Sequence, residues 1–156
     1  MESHNKIHLK INSVHRVLAH SYSMYFILFL IGLFLDFMND FKIFNNPSII
    51  FVGILFLIFG TFLVLWAQRT SRHLEKENIS KETFSKGPYR FTRTPTNFGL
   101  LFLMVGFGLI TNAAFVILFA VISFIFAKIV FLNKQEQILS EKYGAPYLEY
   151  KKSVKF

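Results

Sequence analysis

Two short motifs hold the residues of this chain whose types and spacing could bind a charged ligand. The first runs from Gly87 to Gly99 and reads GPYRFTRTPTNFG, with two arginines, hydroxyl groups and an amide placed before an apolar segment. Thr94 followed by Pro95 is typical of a helix start. The first amide groups of such a helix are unpaired and carry the positive end of its dipole, so together with Arg93 they favour a carboxylate or phosphate. A membrane helix flanked by ordinary positive charges is the plainer interpretation of the same residues.

The second motif lies near the C-terminal end and places an acid and three tyrosines at steps of three and four residues. It reads Glu136-x2-Leu139-x3-Tyr143-Gly144-x2-Tyr147-x2-Tyr150-x3-Val154-x-Phe156. This spacing traces one face of a helix, which Gly144 and Pro146 are expected to interrupt. A basic amphipathic helix on the inner leaflet explains the spacing as well. It does not explain the positions of the acid, the tyrosines and the glycine.

The elements that must position these motifs are membrane helices. The chain has 156 residues, of which 53% are hydrophobic, and a mean hydropathy of +0.45. A crossing needs about 20 mostly apolar residues, and the apolar stretch 95–132 is long enough for two, with its polar break at Thr111-Asn112. We therefore predict an all-α integral membrane bundle of about four transmembrane helices, at about 21–38, 49–67, 95–110 and 113–132, the last two forming a helical hairpin. Residues 1–156 form a single membrane domain with cytoplasmic motif segments at 68–94 and 133–156.

The distribution of positive charge predicts the orientation and the partners. Sixteen of the seventeen lysines and arginines lie on one side of the predicted helices, with Lys42 on the other. Short cytoplasmic segments collect such cations, so we expect a multi-pass protein with both termini cytoplasmic. The cations flank hydrophobic spans and do not form a basic domain with interleaved aromatics, which favours membrane lipids over nucleic acid as partners. The oligomeric state stays open, because small residues on membrane helices serve contacts within and between chains alike.

No metal site is predicted. The chain has no cysteine, which excludes disulfides, thiolate ligands and a cysteine nucleophile. His4 and His8 would share a helix face at a metal-binding spacing, but no third ligand accompanies them. A surface-lying amphipathic segment leading into the first crossing is the preferred interpretation.

Three further features are interpreted as structural. Gly106-Phe107-Gly108 resembles part of a nucleotide-binding loop but has no strand before it, so we expect its small residues to bring two helices together. Tyr22 and Trp66 fall near the inner ends of their helices and are interpreted as interface anchors.

Taken together, the two motifs resemble the isoprenylcysteine carboxyl methyltransferase and phospholipid N-methyltransferase superfamily of membrane enzymes. Its members carry G-P-Y-R-x-x-R-H/N-P-x-Y-x-G before a helical hairpin and E-E-x-x-L-x-x-x-F/Y-G-x-x-Y-x-x-Y-x-x-x-V after it. The residues in register here are Gly87, Pro88, Tyr89, Arg90, Arg93, Pro95 and Gly99, then Glu136, Leu139, Tyr143, Gly144, Tyr147, Tyr150 and Val154. The resemblance covers about residues 65–156. Three positions depart from it, with Thr94 for His or Asn, Asn97 for Tyr and Gln135 for Glu.

The resemblance implies an S-adenosylmethionine-dependent methyltransferase acting at the cytoplasmic membrane face. The two segments of the family enclose that cofactor, and the implied acceptor is lipophilic, of isoprenoid or lipid type. By resemblance, Arg93 would bind a carboxylate and Glu136 would face the amino or sulfonium cation, which makes these two the candidate catalytic residues. The candidate cofactor-binding residues are Gly87, Tyr89, Arg93, Thr94, Pro95, Asn97, Gly99, Glu136, Tyr147 and Tyr150.

Alternatives of other classes remain open from the sequence. The three departures favour a catalytically silent four-helix membrane protein of the same fold that acts as a binding or assembly partner. A glutathione-dependent four-helix membrane enzyme fits the length and helix count but not the tyrosine-rich tail. A carboxylate acceptor needs no base, whereas an ammonium must first lose a proton. With no imidazole at position 94 and only His73 nearby in sequence, an acid or an unidentified lipophilic acceptor is slightly favoured.

Overall fold

The computed structural model describes residues 2–39, 42–74 and 84–154, with side chains at 16–39, 42–71 and 84–154. Every regular element in these ranges is helical, which confirms the all-α class. The side chains of His4, His8 and His73, and all of Phe156, lie outside the described residues. The elements are α1 (Glu2–Asn39), α2 (Ser48–Leu74), a 3-10 turn (Gly87–Arg90), α3 (Pro95–Thr111), α4 (Ala114–Phe126), a π-helical turn (Ala127–Phe131), α5 (Leu132–Tyr143) and α6 (Ala145–Ser153).

Three helices extend further than the sequence predicted, among them α2, which continues to Leu74, past residue 67. α1 begins at Glu2, well before residue 21, and the helix that starts at Ala114 continues through the π-helical turn to Tyr143, past residue 132. An apolar run marks only the part of a helix that suits hydrocarbon, and a helix continues into water until a break signal occurs. Here that signal is Gly144, which has a φ of 61° and separates α5 from α6 as expected.

Within the described residues, three helices are long and apolar enough to cross a membrane. They are Arg16–Asn39, Ser48–Ser71 and Ala114–Tyr143, and they indicate an integral membrane protein. α3 is apolar but has only 17 residues. At 1.5 Å per residue it is about 26 Å long, slightly less than the ~30 Å hydrocarbon layer. The predicted fourth crossing therefore depends on α3.

Glycines bring α2 and α3 into backbone contact. A Cβ atom built on Gly106 would lie 2.8 Å from the carbonyl oxygen of Gly53, and one built on Gly60 would lie 2.8 Å from that of Gly99. Each of these glycines thus faces the backbone of the other helix. Close approach of this kind is a common use of small residues between membrane helices. It agrees with the interpretation of Gly106 as a packing residue.

At the end of the bundle where α3 turns into α4, side chains hydrogen-bond to backbone groups of neighbouring segments. We call this end the turn end. Asn112 has a φ of 56° and ends α3 at the predicted turn. Its side chain accepts hydrogen bonds from the amides of Ile43 and Phe44, at 3.0 Å each, and donates one to the Phe44 carbonyl at 2.7 Å. The Asp36 carboxylate of α1 accepts from the first amides of α4. The opposite end, where α2 ends and α3 begins, is called the motif end.

Candidate functional site

The first motif forms a compact turn that leads into α3. The amides of Phe91 and Thr92 donate to the Pro88 carbonyl, which closes the 3-10 turn. α3 then begins at Pro95 with Thr94 at the N-cap position, as predicted. The Thr94 side chain, however, makes no capping hydrogen bond to the backbone. It lines a cavity instead.

The second motif forms α5 and α6, which meet at Gly144. A φ of 61° at Gly144 suits glycine because residues with a Cβ are strained there. The resulting change of direction folds α6 against the first motif. Tyr147 and Tyr150 of α6 are each only 3% exposed, and the Tyr150 hydroxyl donates to the Tyr89 carbonyl at 2.8 Å.

An ion pair joins the two motifs across 43 positions of sequence. The guanidinium of Arg93 donates through Nη1 to Oε1 of Glu136. The other carboxylate oxygen, Oε2, lies 2.6 Å from Nζ of Lys151 on α6. Glu136 is only 6% exposed, so the two cations offset the cost of burying its charge. The two candidate catalytic residues, Arg93 and Glu136, therefore lie in contact at the same end of the bundle.

A cavity of about 180 Å³ lies between the two motifs and the ends of α1 and α2. We call it the polar cavity. Its walls mix hydroxyl, amide and charged groups with aromatic rings. The lining residues are Leu18, Tyr22, Gln68, Ser71, Phe84, Tyr89, Arg93, Thr94, Pro95, Thr96, Asn97, Gln135, Leu139, Lys142, Tyr143, Tyr147 and Tyr150.

An aromatic cluster forms one wall of the polar cavity. The Phe84 ring lies 5.1 Å from that of Tyr143, 5.5 Å from that of Tyr147 and 5.8 Å from that of Tyr150. The Lys142 ammonium lies 4.5 Å from the centre of the Tyr143 ring. Rings with negative faces suit a cationic guest, and the same rings can stack on a planar heterocycle.

Burial favours the protonated form of three tyrosines of this site, Tyr89, Tyr147 and Tyr150. It raises the pKa of Tyr89 to about 12, while hydrogen bonds to Thr96 and Ser71 act in the opposite direction. The pKa values of Tyr147 and Tyr150 are also raised, chiefly by burial. The negative charge of Glu136 raises the pKa of both further. These phenols therefore offer hydroxyl groups, not tyrosinates, at neutral pH.

The candidate cofactor-binding residues divide into two groups in the structure. Seven line the polar cavity and three do not. Gly87 has a φ of 58° and packs against α2, where an added Cβ would lie 2.5 Å from Oγ1 of Thr70. Gly99 faces α2 as well, and Glu136 lies behind the wall that Arg93 forms. The seven lining residues are Tyr89, Arg93, Thr94, Pro95, Asn97, Tyr147 and Tyr150.

Several lining residues were not among the sequence candidates. Tyr22, interpreted as an interface anchor, lines the polar cavity. Gln68 and Ser71 line it from the last turns of α2. Their polarity at the end of an apolar helix is a signal that could have indicated them. Phe84 precedes the first motif in the sequence, and its ring packs against the tyrosines of the second motif. Its residue type carried no such signal.

All three positions that depart from the family pattern line the polar cavity. Thr94, Asn97 and Gln135 each contribute to its wall. Threonine supplies a hydroxyl, and asparagine and glutamine supply amides, so each position keeps hydrogen-bonding capacity without adding charge. The departures therefore alter the chemistry of the cavity itself.

A comparison with protein families gives one match. The family model described as phospholipid methyltransferase matches residues 48–146. The matched part includes α2 through α5 and the first motif, and it ends just before Tyr147. No curated protein and no solved structure gives a significant match to the chain.

Proposed function

Because this chain belongs to the phospholipid methyltransferase family, we propose that it transfers the methyl group of S-adenosylmethionine to a lipophilic acceptor at the cytoplasmic membrane face. The family match confirms the resemblance on which the prediction was based. The observation that carries the proposal is the polar cavity, in which two motifs distant in sequence meet at one end of a set of apolar helices.

The proposed topology has four crossings with both termini in the cytoplasm. The motif end carries Arg93, Lys142 and Lys151, and it would face the cytoplasm under the positive-inside rule. α3 would complete a fourth crossing, since its length of about 26 Å nearly equals the hydrocarbon thickness. Accessibility of single cysteines introduced at Lys42 and Lys152 to a membrane-impermeant reagent would test this topology in intact cells. Only the variant at Lys42 should be labelled from outside.

The residues around the polar cavity fit the chemical groups of S-adenosylmethionine. Arg93 and the amide end of α3 would hold its carboxylate, and Glu136, which lies behind Arg93, would reach its amino group only once the cavity walls separate. Tyr89, Tyr147 and Tyr150 would supply ring faces and hydroxyls to the sulfonium and the adenine. When bound, the cofactor supplies an already activated methyl group, so the protein mainly has to position it against the acceptor.

The size of the polar cavity adds a condition to this fit. Its volume of about 180 Å³ is below the roughly 300 Å³ at which ligand pockets usually begin. Binding of a whole cofactor therefore requires the walls to separate. Gly144 is suited to that movement, because a Cβ built there meets nothing within 4 Å and α6 follows directly.

The lining of the polar cavity supports an acceptor that needs no general base. The residues described around it include no histidine, aspartate or glutamate. Burial raises the pKa of Tyr89 to about 12, so its phenolate is not populated at neutral pH. A carboxylate can attack the methyl group directly, whereas an ammonium must first lose a proton. We therefore propose a lipid acceptor that presents an acid or another nucleophile that is already deprotonated.

Calorimetry on the detergent-purified protein tests the cofactor site. S-adenosylmethionine should bind with measurable heat, and the binding should be lost in Arg93→Ala and in Glu136→Ala. Arg90→Ala is the matched control, because Arg90 belongs to the same motif but is exposed and does not line the polar cavity. Absence of binding at millimolar cofactor in the wild type would refute the proposal.

A catalytically silent relative is the second candidate. The observation that favours it is the location of Thr94, Asn97 and Gln135 in the cavity wall. Incubation of membranes with methyl-labelled cofactor separates the two candidates. Labelled lipid or lipid-soluble acid would establish the enzyme, whereas cofactor binding without any labelled product would establish the silent protein.

A further inference from the structure

Glu136 has two cationic partners, and they differ in how deeply the fold buries them. Arg93 pairs with Oε1, and its side chain is 15% exposed. Lys151 pairs with Oε2 at 2.6 Å, and its side chain is 45% exposed. An ammonium group that is nearly half exposed can return to water easily, and exposed ion pairs contribute little to stability. Lys151 is therefore the partner that a ligand can replace.

Lys151 lies on the same helix as two wall residues of the polar cavity. Tyr147 and Tyr150 line the cavity from α6, and Lys151 follows them directly in the chain. α6 begins after Gly144, where φ is 61° and an added Cβ would meet nothing within 4 Å. A rotation of α6 about Gly144 that separates the cavity walls would therefore also withdraw the Lys151 ammonium from Glu136.

The carboxylate of Glu136 suits the amino group of a ligand as well as that of a lysine. Its side chain is 7% exposed, so its charge needs a cation within hydrogen-bonding distance. A primary ammonium on a ligand has the same charge and the same three N–H donors as the lysine side chain. Arg93 lines the cavity close by and favours a carboxylate. An α-amino acid group, with ammonium and carboxylate on one carbon, matches this pair of charges.

We propose that Lys151 and the amino group of the cofactor compete for Glu136. This inference rests on the proposed function and concerns a residue outside the family match, which ends at residue 146. Lys151 acts through Glu136 as a positioning residue. It holds α6 against the first motif while it pairs with the carboxylate, and it lowers the affinity of the site for every ligand that carries an amino group there.

Calorimetry with three ligands tests the competition on the full chain in detergent. S-adenosylmethionine and S-adenosylhomocysteine both carry the amino group, whereas methylthioadenosine lacks the whole amino-acid part. Lys151→Met should bind the first two about fivefold more tightly than the wild type does, which corresponds to about 1 kcal/mol. The affinity for methylthioadenosine should be the same in both proteins.

Two control variants separate competition from a general effect of charge. Lys152→Met removes the same charge from the neighbouring exposed position and should bind all three ligands as the wild type does. Lys151→Arg keeps a cation beside Glu136 and should show no gain either. S-adenosylhomocysteine is the control among the ligands, because it has no sulfonium charge. A gain for S-adenosylmethionine alone, equal gains in Lys151→Met and Lys152→Met, or no gain in folded Lys151→Met would overturn the proposal.

Chemical modification of the wild type keeps the test decisive should Lys151→Met fail to fold. An amine-reactive reagent modifies lysine side chains, and mass spectrometry gives the ratio of modified Lys151 to modified Lys152. Saturating S-adenosylhomocysteine should raise this ratio, because the displaced ammonium no longer pairs with Glu136. An unchanged ratio would refute the competition and leave the cofactor site standing. A wild type that binds none of the three ligands would refute both.

Discussion

The two ends of the helix bundle use similar polar side chains for different purposes. At the turn end, the side-chain oxygens of Asp36 and Asn112 accept hydrogen bonds from backbone amides of neighbouring segments. At the motif end, Thr94 and Asn97 line a cavity, and the Thr94 side chain does not cap its own helix. Buried backbone groups need partners, so polar side chains that supply them hold the fold. We propose that the polar side chains around the cavity bind a ligand.

This comparison predicts that substitutions at the two ends will have different effects on stability and on cofactor affinity. Substitutions at the turn end should lower the free energy of unfolding and leave the affinity for S-adenosylmethionine unchanged. Substitutions at the motif end should alter cofactor affinity, and those that touch the buried ion pair should alter stability as well.

The largest expected effect is alkaline destabilisation of the motif end. The pKa values of Tyr89, Tyr147 and Tyr150 are raised in the folded protein, so the fold favours their neutral forms. This stability is fully present below the unfolded tyrosine pKa of about 10 and falls above it, by up to about 1.4 kcal/mol per pH unit for each tyrosine. Hydrogen exchange should show α6 losing protection above pH 10 before the turn end does. Tyr150→Phe should make the decline shallower, and simultaneous loss of protection at both ends would contradict the prediction.

Removal of the Glu136 carboxylate should have the next largest effect. In Glu136→Ala the Arg93 guanidinium, whose side chain is 15% exposed, loses its ion pair with Glu136, and the loss of a buried ion pair typically costs about 3 kcal/mol. Equilibrium unfolding in mixed micelles would measure the change. Glu141→Ala, an exposed acid on the same helix, is the control and should change stability by less than about 0.5 kcal/mol. Equal losses in the two variants would show that the buried ion pair does not stabilise the motif end.

Asn112 provides the matching test at the turn end. Asn112→Ala removes three hydrogen bonds and places a Cβ-bearing residue without a polar side chain at a φ of 56°, which should cost about 2–3 kcal/mol. Asn112→Gly keeps the backbone freedom and should recover about 1 kcal/mol of that loss. Both variants should bind S-adenosylmethionine with wild-type affinity in the calorimeter. A change in affinity would show that the two ends are coupled.

The sequence predicted the features that local signals encode. Thr94-Pro95 indicated the start of α3, Thr111-Asn112 the turn into α4, and Gly144 the break before α6, because each depends on residues within a few positions. The association of the two motifs came from the resemblance to a family. No periodicity could have placed Arg93 against Glu136, since their contact depends on how α5 lies against the turn that precedes α3.

Other features were beyond sequence reasoning for a physical reason. Tyr22 had the position of an interface anchor, and only the packing of α1 against its neighbours places it in the wall of the polar cavity. Gly87 and Gly99 matched the family pattern, but whether they face a ligand or α2 depends on the rotation of each segment.

The smallest expected effect concerns Lys151, the exposed member of the ion pair at the motif end. Its side chain is 45% exposed, whereas that of Glu136 is 7% exposed, so solvent and salt screen most of its interaction. Lys151→Met should therefore lower the free energy of unfolding by less than about 1 kcal/mol, and added salt should reduce the difference further. Lys152→Met, at the neighbouring exposed position of α6, is the control, with unfolding followed at low and high ionic strength. A loss as large as that in Glu136→Ala would mean that Lys151 and not Arg93 is the main partner of the buried carboxylate.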